Sequence, residues 1–272
     1  MNIRRIAGRL ARNNGYNSEN REIKLLKKNT LRTKYICKNY LHDNGIHNVR
    51  SCNINNIMPF KISDLTIDTN YNLFKNECKK YNIECCKPPH DKPPSDIIIL
   101  FKYMDKPYII KYDIKKSKSL STQLCSKMLP LLLEKFNIEN EDVNNIKKYL
   151  KYDNKKRTWI NYEKKEKDEI IKSVVKLFNI IKKKWILDRW CPELYHNEYI
   201  MKNNIMINIK NILNKELTFK VSKTNIVFKL DGIKFISIKP YGSSNSNRIQ
   251  LHIYKDIFKH KDAIDISNTV TI

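Results

Sequence analysis

A chain of 272 residues with 53 Lys+Arg against 28 Asp+Glu carries a formal charge of +25, a surplus of the sign that attracts polyphosphate and too large to serve solubility alone. Seven cysteines, an odd number without repeated spacing, exclude a secreted disulfide framework, and no run approaches the ~20 apolar residues of a membrane span. Lys, Asn and Ile, residues with A/T-rich codons, are abundant beside only 5 glycines, so part of the charge reflects an A/T-rich genome and the nature of the partner is better fixed than the chemistry done on it.

In the first 16 residues Arg4, Arg5, Arg9 and Arg12 interrupt every apolar run, which argues against a signal peptide and for a reducing, cytoplasmic setting. Asn17-Ser18 followed by Glu19 and Glu22 reads as a helix start with acids in the first turn, and the helix is expected to run to about Leu41, before Asn44-Gly45 breaks it. Residues 46–68 alternate loosely, as short strands do, and a short helix is expected over about 70–82.

The run Lys87-Pro88-Pro89-His90-Asp91-Lys92-Pro93-Pro94 cannot be helix interior, because four prolines remove donors and fix φ. Two strands follow, Asp96 to Tyr103 and Tyr108 to Ile114, around a turn at Met104-Asp105-Lys106-Pro107. From Ser121 the period turns helical through Leu124, Met128, Leu131, Leu132 and Phe136, with further helices at 140–151, at Glu163 to Trp185 and near 203–214. Strands close the chain: Leu217 to Val221, Ile226 to Leu230, Ile233 to Lys239 and Ile249 to Tyr254. The expected architecture is α/β, a mixed central β-sheet flanked by helices at 18–41 and 121–136, with a C-terminal helical and antiparallel-strand portion. A single domain is expected over 1–272, its core at about 15–136 and a further portion at about 160–258.

Chemistry concentrates at the central hairpin. Asp96 opens its first strand and Asp113 lies near the end of the second, so antiparallel pairing brings two carboxylates to one sheet edge. Lys115 stands two positions after Asp113, and strand side chains repeat with period two, so both project from one face. Two carboxylate ligands suit Mg²⁺, which keeps several waters.

Pro94-Ser95-Asp96, seventeen residues before Asp113-Ile114-Lys115, resembles the PD-(D/E)XK nuclease pattern. Gly15-Tyr16-Asn17-Ser18-Glu19-Asn20 resembles the opening of small type II restriction endonucleases that cut four-base palindromes, with Glu19 the matching acid and Glu22 an alternative. The resemblance extends to the polar segment Lys116, Ser117, Lys118, Ser119 through Gln123, and to Lys239-Pro240-Tyr241-Gly242 before Ile249-Gln250-Leu251-His252-Ile253. A serine stands directly before Asp96, and the double glycine that such enzymes carry near Lys239 is missing.

What the resemblance implies is a restriction endonuclease-like fold and Mg²⁺-dependent, sequence-specific cleavage of double-stranded DNA to 5′-phosphate and 3′-hydroxyl ends. Asp96, Asp113, Lys115 and Glu19 would be catalytic, and Asp96, Asp113 and the Ile114 carbonyl would hold the metal. DNA contacts would come from Lys116, Ser117, Lys118, Ser119 and Gln123, and from Lys239, Tyr241, Ser243, Ser244, Asn245, Asn247 and Arg248. A homodimer and a cognate DNA methyltransferase as functional companion are further expectations, in a bacterial cell or one infected by a large DNA virus.

Plainer readings stand beside these. Glu19 also suits a helix N-terminus through the macrodipole, the polar residues up to Gln123 also suit a helix cap, and 243–248 also suits a hairpin tip. Cys78, Cys85, Cys86 and His90 match no closed zinc spacing. No Gly-x-x-x-x-Gly-Lys loop is present, which argues against ATP-driven work. A structure-specific repair or junction nuclease and a non-catalytic basic nucleic-acid-binding protein remain the alternatives.

Overall fold

The computed structural model describes residues 17–83, 85, 96–115, 120–124, 138–153, 158–159, 162–183, 198–222, 225–241 and 248–267. In chain order the regular elements are α1 (17–28), α2 (Thr30–Asp43), β1 (Ile54–Lys61), α3 (Asp68–Lys80), β2 (Ile97–Tyr103), β3 (Lys106–Ile114), β4 (Leu120–Leu124), α4 (Asn140–Leu150), β5 (Tyr152–Asp153), β6 (Thr158–Trp159), α5 (Lys164–Lys183), β7 (Tyr199–Lys202), β8 (Ile205–Asn208), α6 (Ile209–Leu213), β9 (Thr218–Val221), β10 (Ile226–Leu230), β11 (Ile233–Tyr241), β12 (Arg248–Ile253) and β13 (Ile264–Asp265). They fall into two compact units, one of Met1–Lys116, Ile186–Asn211 and Lys261–Ile272, the other of Ser117–Trp185 and Ile212–His260.

The first unit is built on a six-stranded sheet of order β1-β2-β3-β7-β8-β13. It is mixed, as expected: β3 and β7 run parallel while the other neighbours are antiparallel. Strand β2 lies inside the sheet, between β1 and β3, and Ile97-Ile98-Ile99-Leu100-Phe101 is apolar on both faces, which a strand can bury only when layers cover it on either side. Ile97, Ile99 and Phe101 pack with Leu26 of α1 and Ile36, Cys37 and Leu41 of α2. Ile98 and Leu100 pack on the opposite face with Phe74 and Cys78 of α3. Each such aliphatic side chain contributes about 1.5–3 kcal/mol on burial.

The β2–β3 hairpin turns on Met104 and Asp105 alone, with φ of 49° and 61°. A two-residue turn with both central residues left-handed matches the twist of its strands, so β3 begins at Lys106, earlier than the expected Tyr108. The long helix expected from 18 to 41 is two helices. Asn29 is extended and its side-chain oxygen accepts the Arg32 N–H at 2.9 Å, capping α2 and ending α1. The helix expected near 203–214 is reduced to α6, because Asn203 and Asn204 take φ of 50° and 63° and fold 199–208 into the β7–β8 hairpin; the tolerance of Asn for that region won over the local apolar spacing.

A buried ion pair ties the helices to the sheet. The Arg32 guanidinium donates to both carboxylate oxygens of Glu22 at 3.0 Å, to the Ile266 carbonyl at 3.0 Å and to the Asn204 side chain at 3.3 Å. Tyr112 of β3 donates its hydroxyl to the same Glu22 at 3.3 Å. One charge pair thereby joins α1, α2, β3, the β7–β8 turn and the chain beyond β13.

The second unit is an antiparallel five-stranded sheet of order β4-β12-β11-β10-β9 with α4 and α5. Tyr149 of α4 donates to the Ile238 carbonyl of β11 at 2.6 Å, and Phe178 of α5 stacks on Phe228 of β10 at 3.9 Å between ring centroids. Ser121–Leu124, expected to open a helix, instead pair with β12 from Leu124↔Ile249 to Ser121↔His252. The hydrogen-bonding edge of β12 outweighs the local period of an otherwise weak segment. The remainder of that expected helix to Phe136, the proline run 87–94, and Trp185 lie outside the described residues. Among the described residues no helix is long and apolar enough to cross a membrane.

Breaking the buried pair leaves an uncompensated charge in the core, which costs about 3–5 kcal/mol, whereas replacing both partners by apolar residues is often near neutral. Urea denaturation is therefore expected to show a loss of that size for Arg32→Met and for Glu22→Leu, and a clear recovery in the double variant; equal losses in the double variant would remove the pair from its structural role.

Candidate active site

The register of β2 on β3 sets Ile97 opposite Tyr112, which brings Asp96, one residue earlier, beside Asp113, one residue later. Asp96 is fixed by its own backbone. Its N–H donates to the Tyr112 carbonyl at 3.0 Å, and its carbonyl accepts the Ile62 N–H at 3.0 Å, so it is stitched to β3 on one side and to the end of β1 on the other. Its carboxylate accepts the Ile114 N–H at 2.8 Å. Lys115 is anchored in turn by its N–H, which donates to the Met201 carbonyl of β7 at 2.8 Å.

The side chains converge. Asp113 is buried, and its carboxylate meets the Lys115 ammonium at 2.5 Å. Burial, the adjacent Asp113 charge and a hydrogen bond shared with Asp113 push Asp96 well above the usual carboxylate range, against the Ile114 N–H that pulls it down, with Glu19 adding to the rise. Burial draws the Lys115 ammonium down, and Asp113, Asp96 and Glu19 together more than reverse it, leaving it above its ordinary value. Asp96, Asp113, Lys115 and Glu19, the expected set, therefore share one electrostatic neighbourhood.

Glu19 sits in the first turn of α1. Burial raises its pKa, Lys61 lowers it, and Asp113 raises it again, with the Ser63 hydroxyl lowering and Asp64 raising it. Glu22, the alternative to Glu19, is committed to Arg32 and Tyr112 and faces the core. Sequence reasoning missed Lys61. It closes β1, is buried, and donates to the Asn20 side chain at 2.6 Å while standing 3.3 Å from Asp64. Among 53 Lys+Arg nothing local marks it; the available signal is a lysine ending an apolar-alternating strand directly before Ile62-Ser63-Asp64.

Adjacent oxygen donors, with one carboxyl driven toward its neutral form by burial and then by the other's charge, are what a hard divalent cation satisfies, and the pair Asp96 and Asp113 fits Mg²⁺, which takes one or two carboxylates from a protein. Among the described residues no three His, Cys, Asp or Glu side chains are grouped to hold a metal ion, so Glu19 stands beside this pair rather than completing a cage. Cys78 and Cys85 lie close together, while Cys86 and His90 lie outside the described residues.

The residues expected to contact DNA are divided. Lys116, Ser117, Lys118, Ser119, Ser243, Ser244, Asn245 and Asn247 lie outside the described residues. In the second unit the backbone register places Lys239 opposite Gln250 and Gln250 opposite Gln123, one row across β11, β12 and β4, and sets Tyr241 opposite Arg248 where β11 ends and β12 begins.

No protein-family model matches the chain, and no curated protein matches it. Among solved structures, the crystal structure of the restriction endonuclease MspI in complex with its cognate DNA is similar at a TM-score of 0.37 and 9% identity, over 70% of this chain and 82% of that one. So weak a likeness leaves the function to the geometry of the site.

The raised Asp96 pKa carries a stability consequence of fixed sign. Between the ordinary carboxylate pKa, about 3.9, and the elevated one, the folded chain binds more protons than the unfolded chain, so stability falls as pH rises through that window. Asp96→Asn removes the titration. In buffer free of divalent ions, thermal melts across the window are expected to show a flatter pH slope and a higher midpoint at neutral pH for this variant than for the parent chain; an unchanged slope would contradict a carboxyl held up by burial and by the Asp113 charge.

Proposed function

We propose that the chain is a Mg²⁺-dependent endonuclease of double-stranded DNA, of the PD-(D/E)XK type II restriction class, acting at a short palindromic site. The observation that carries this reading is the β2–β3 register that sets Asp96 beside Asp113, with the Lys115 ammonium 2.5 Å from Asp113. Two oxygen-bearing acids and an adjacent cation are what phosphodiester hydrolysis requires: ligands for a hard ion, and a positive group beside the attacking oxygen. The surplus of +25 supports a polyanionic partner and predicts binding that weakens steeply with salt.

In this reading Asp96, Asp113 and the Ile114 carbonyl hold Mg²⁺, which when bound neutralises charge on the scissile phosphate. Lys115 donates to the attacking water and keeps it in line with phosphorus, and Asp113 keeps the ammonium there. The water oxygen bonds to phosphorus and releases its proton to solvent as the bond to the 3′ oxygen breaks; the 3′ oxygen takes up a proton from solvent, leaving a 3′-hydroxyl and a 5′-phosphate. Glu19 supplies a third carboxylate next to Asp113. The row Lys239 to Gln123 and the Tyr241–Arg248 pair offer donors and acceptors for groove edges, where bidentate contacts specify sequence and phosphate contacts do not. A homodimer would cut both strands, and a methyltransferase of the same specificity would protect host DNA in the cytoplasm.

Purified protein incubated with unmethylated phage DNA and Mg²⁺ is expected to give discrete fragments whose sequenced ends share one short palindrome. Asp113→Ala and Lys115→Ala should each lower the cleavage rate by at least about 10²–10³-fold, the loss typical of one transition-state donor, while gel-shift affinity for duplex persists. Cleavage confined to junctions or flaps would replace this reading by a structure-specific nuclease, and binding without Mg²⁺-dependent cleavage by a non-catalytic binder.

A further inference from the structure

We propose that Lys61 is the positioning residue of this site: pinned between Asn20 and Asp64, it acts as a built-in counter-ion that holds Glu19 next to Asp113 and thereby sets how strongly the site attracts a divalent cation. The inference rests on the nuclease reading for its catalytic part and on geometry alone for its metal-binding part.

Three observations carry it. Lys61 is 7% exposed, and among the described lysines it shares full burial only with Lys111; a lysine is rarely buried unless it is paired. Its ammonium is held by Asn20 at 2.6 Å and lies 3.3 Å from Asp64. Asn20 is the neighbour of Glu19 in the first turn of α1, so this bond fixes the end of the helix that presents the acid. Finally, Lys61 pairs with Ile97 in the sheet and Ile62, the next residue, donates to the Asp96 carbonyl. The cation is therefore built into the same strand junction that positions Asp96.

The charge count follows. Glu19, Asp64, Asp96 and Asp113 face Lys61 and Lys115, two ammoniums against four carboxyls. Without Lys61 the carboxyls would attract a cation more strongly, yet Glu19 would lose its anchor. A residue with only a structural role would not move metal affinity and turnover in opposite directions.

The test uses the full chain as parent, Lys61→Met, Lys61→Arg and Asn20→Ala. Thermal melts over a MgCl₂ titration without DNA, at about pH 8 so that ordinary carboxylates are ionised, give the half-saturating Mg²⁺. Single-turnover cleavage of plasmid at saturating Mg²⁺, and duplex affinity in EDTA, give the rest. For Lys61→Met the half-saturating Mg²⁺ is expected to fall by about tenfold, as removal of one nearby like charge implies, and cleavage to slow by at least about tenfold with duplex affinity unchanged. Lys61→Arg restores most of both. Values for Lys61→Met that match the parent, or an arginine variant as impaired as the methionine one, would overturn the proposal. If Lys61→Met fails to fold, Asn20→Ala decides, since it unpins the ammonium: slowed cleavage with unchanged duplex affinity supports the proposal and parent-like cleavage defeats it. If the parent leaves DNA intact, the nuclease reading falls while the Mg²⁺ midpoints still judge Lys61.

Discussion

Two carboxyl groups pressed together where β2 meets β3 are the constraint around which the first unit is organised. Like charges at contact are unfavourable in a partly dry setting, and the pair persists because the backbone leaves it no alternative. Asp96 is bonded to β3 through its N–H and to the end of β1 through its carbonyl, and the hairpin register admits no slip without turning Ile97, Ile99 and Phe101 out of their core. Burial of the apolar ladder thus sustains an electrostatic conflict at its end. Lys115 pairs with Asp113 and relieves part of it, while burial, and after it the Asp113 charge, leaves an Asp96 carboxyl that resists ionisation.

The scaffold that enforces this contact is itself tied by charge. Glu22 and Arg32 are both almost fully buried, and Arg32 donates from its two terminal nitrogens to Glu22, Asn204 and the Ile266 carbonyl. Glu19 and Glu22 lie three residues apart on α1, yet one stands beside Asp113 and the other closes the core. The difference is which packed face each meets: the sheet at Tyr112 for Glu22, the strand end at Lys61 for Glu19. Local helix chemistry, which favours an acid at both positions, does not separate them.

The second unit answers to a different rule. Its five strands are antiparallel, and from β4 through β12 to β11 the register is unbroken, so residues far apart in the chain come into single rows. Gln123 and Lys239 share such a row through Gln250, although more than a hundred residues separate them. A reading along the chain treats Gln123 as the edge of a helix. Pairing with β12 makes it part of a polar row instead.

What the amino-acid order determined by itself was whatever depends on near neighbours or on totals. The charge of +25 is a sum; the continuous apolar run at 97–101 needs cover on both faces wherever it sits; and Asp113 and Lys115, two apart, share a face in any strand. The hairpin carrying Asp96, and the strands β9 to β12, were legible for the same reason. The break at Asn29, the Asn203-Asn204 turn and the strand at Leu120–Leu124 were not, because each is a weak local preference decided by what the segment packs or pairs against. Lys61 belongs with these. A lysine carries no local mark of burial, and only the folding of α1 and β1 onto one junction gives its ammonium a partner in Asn20 and a place beside Glu19.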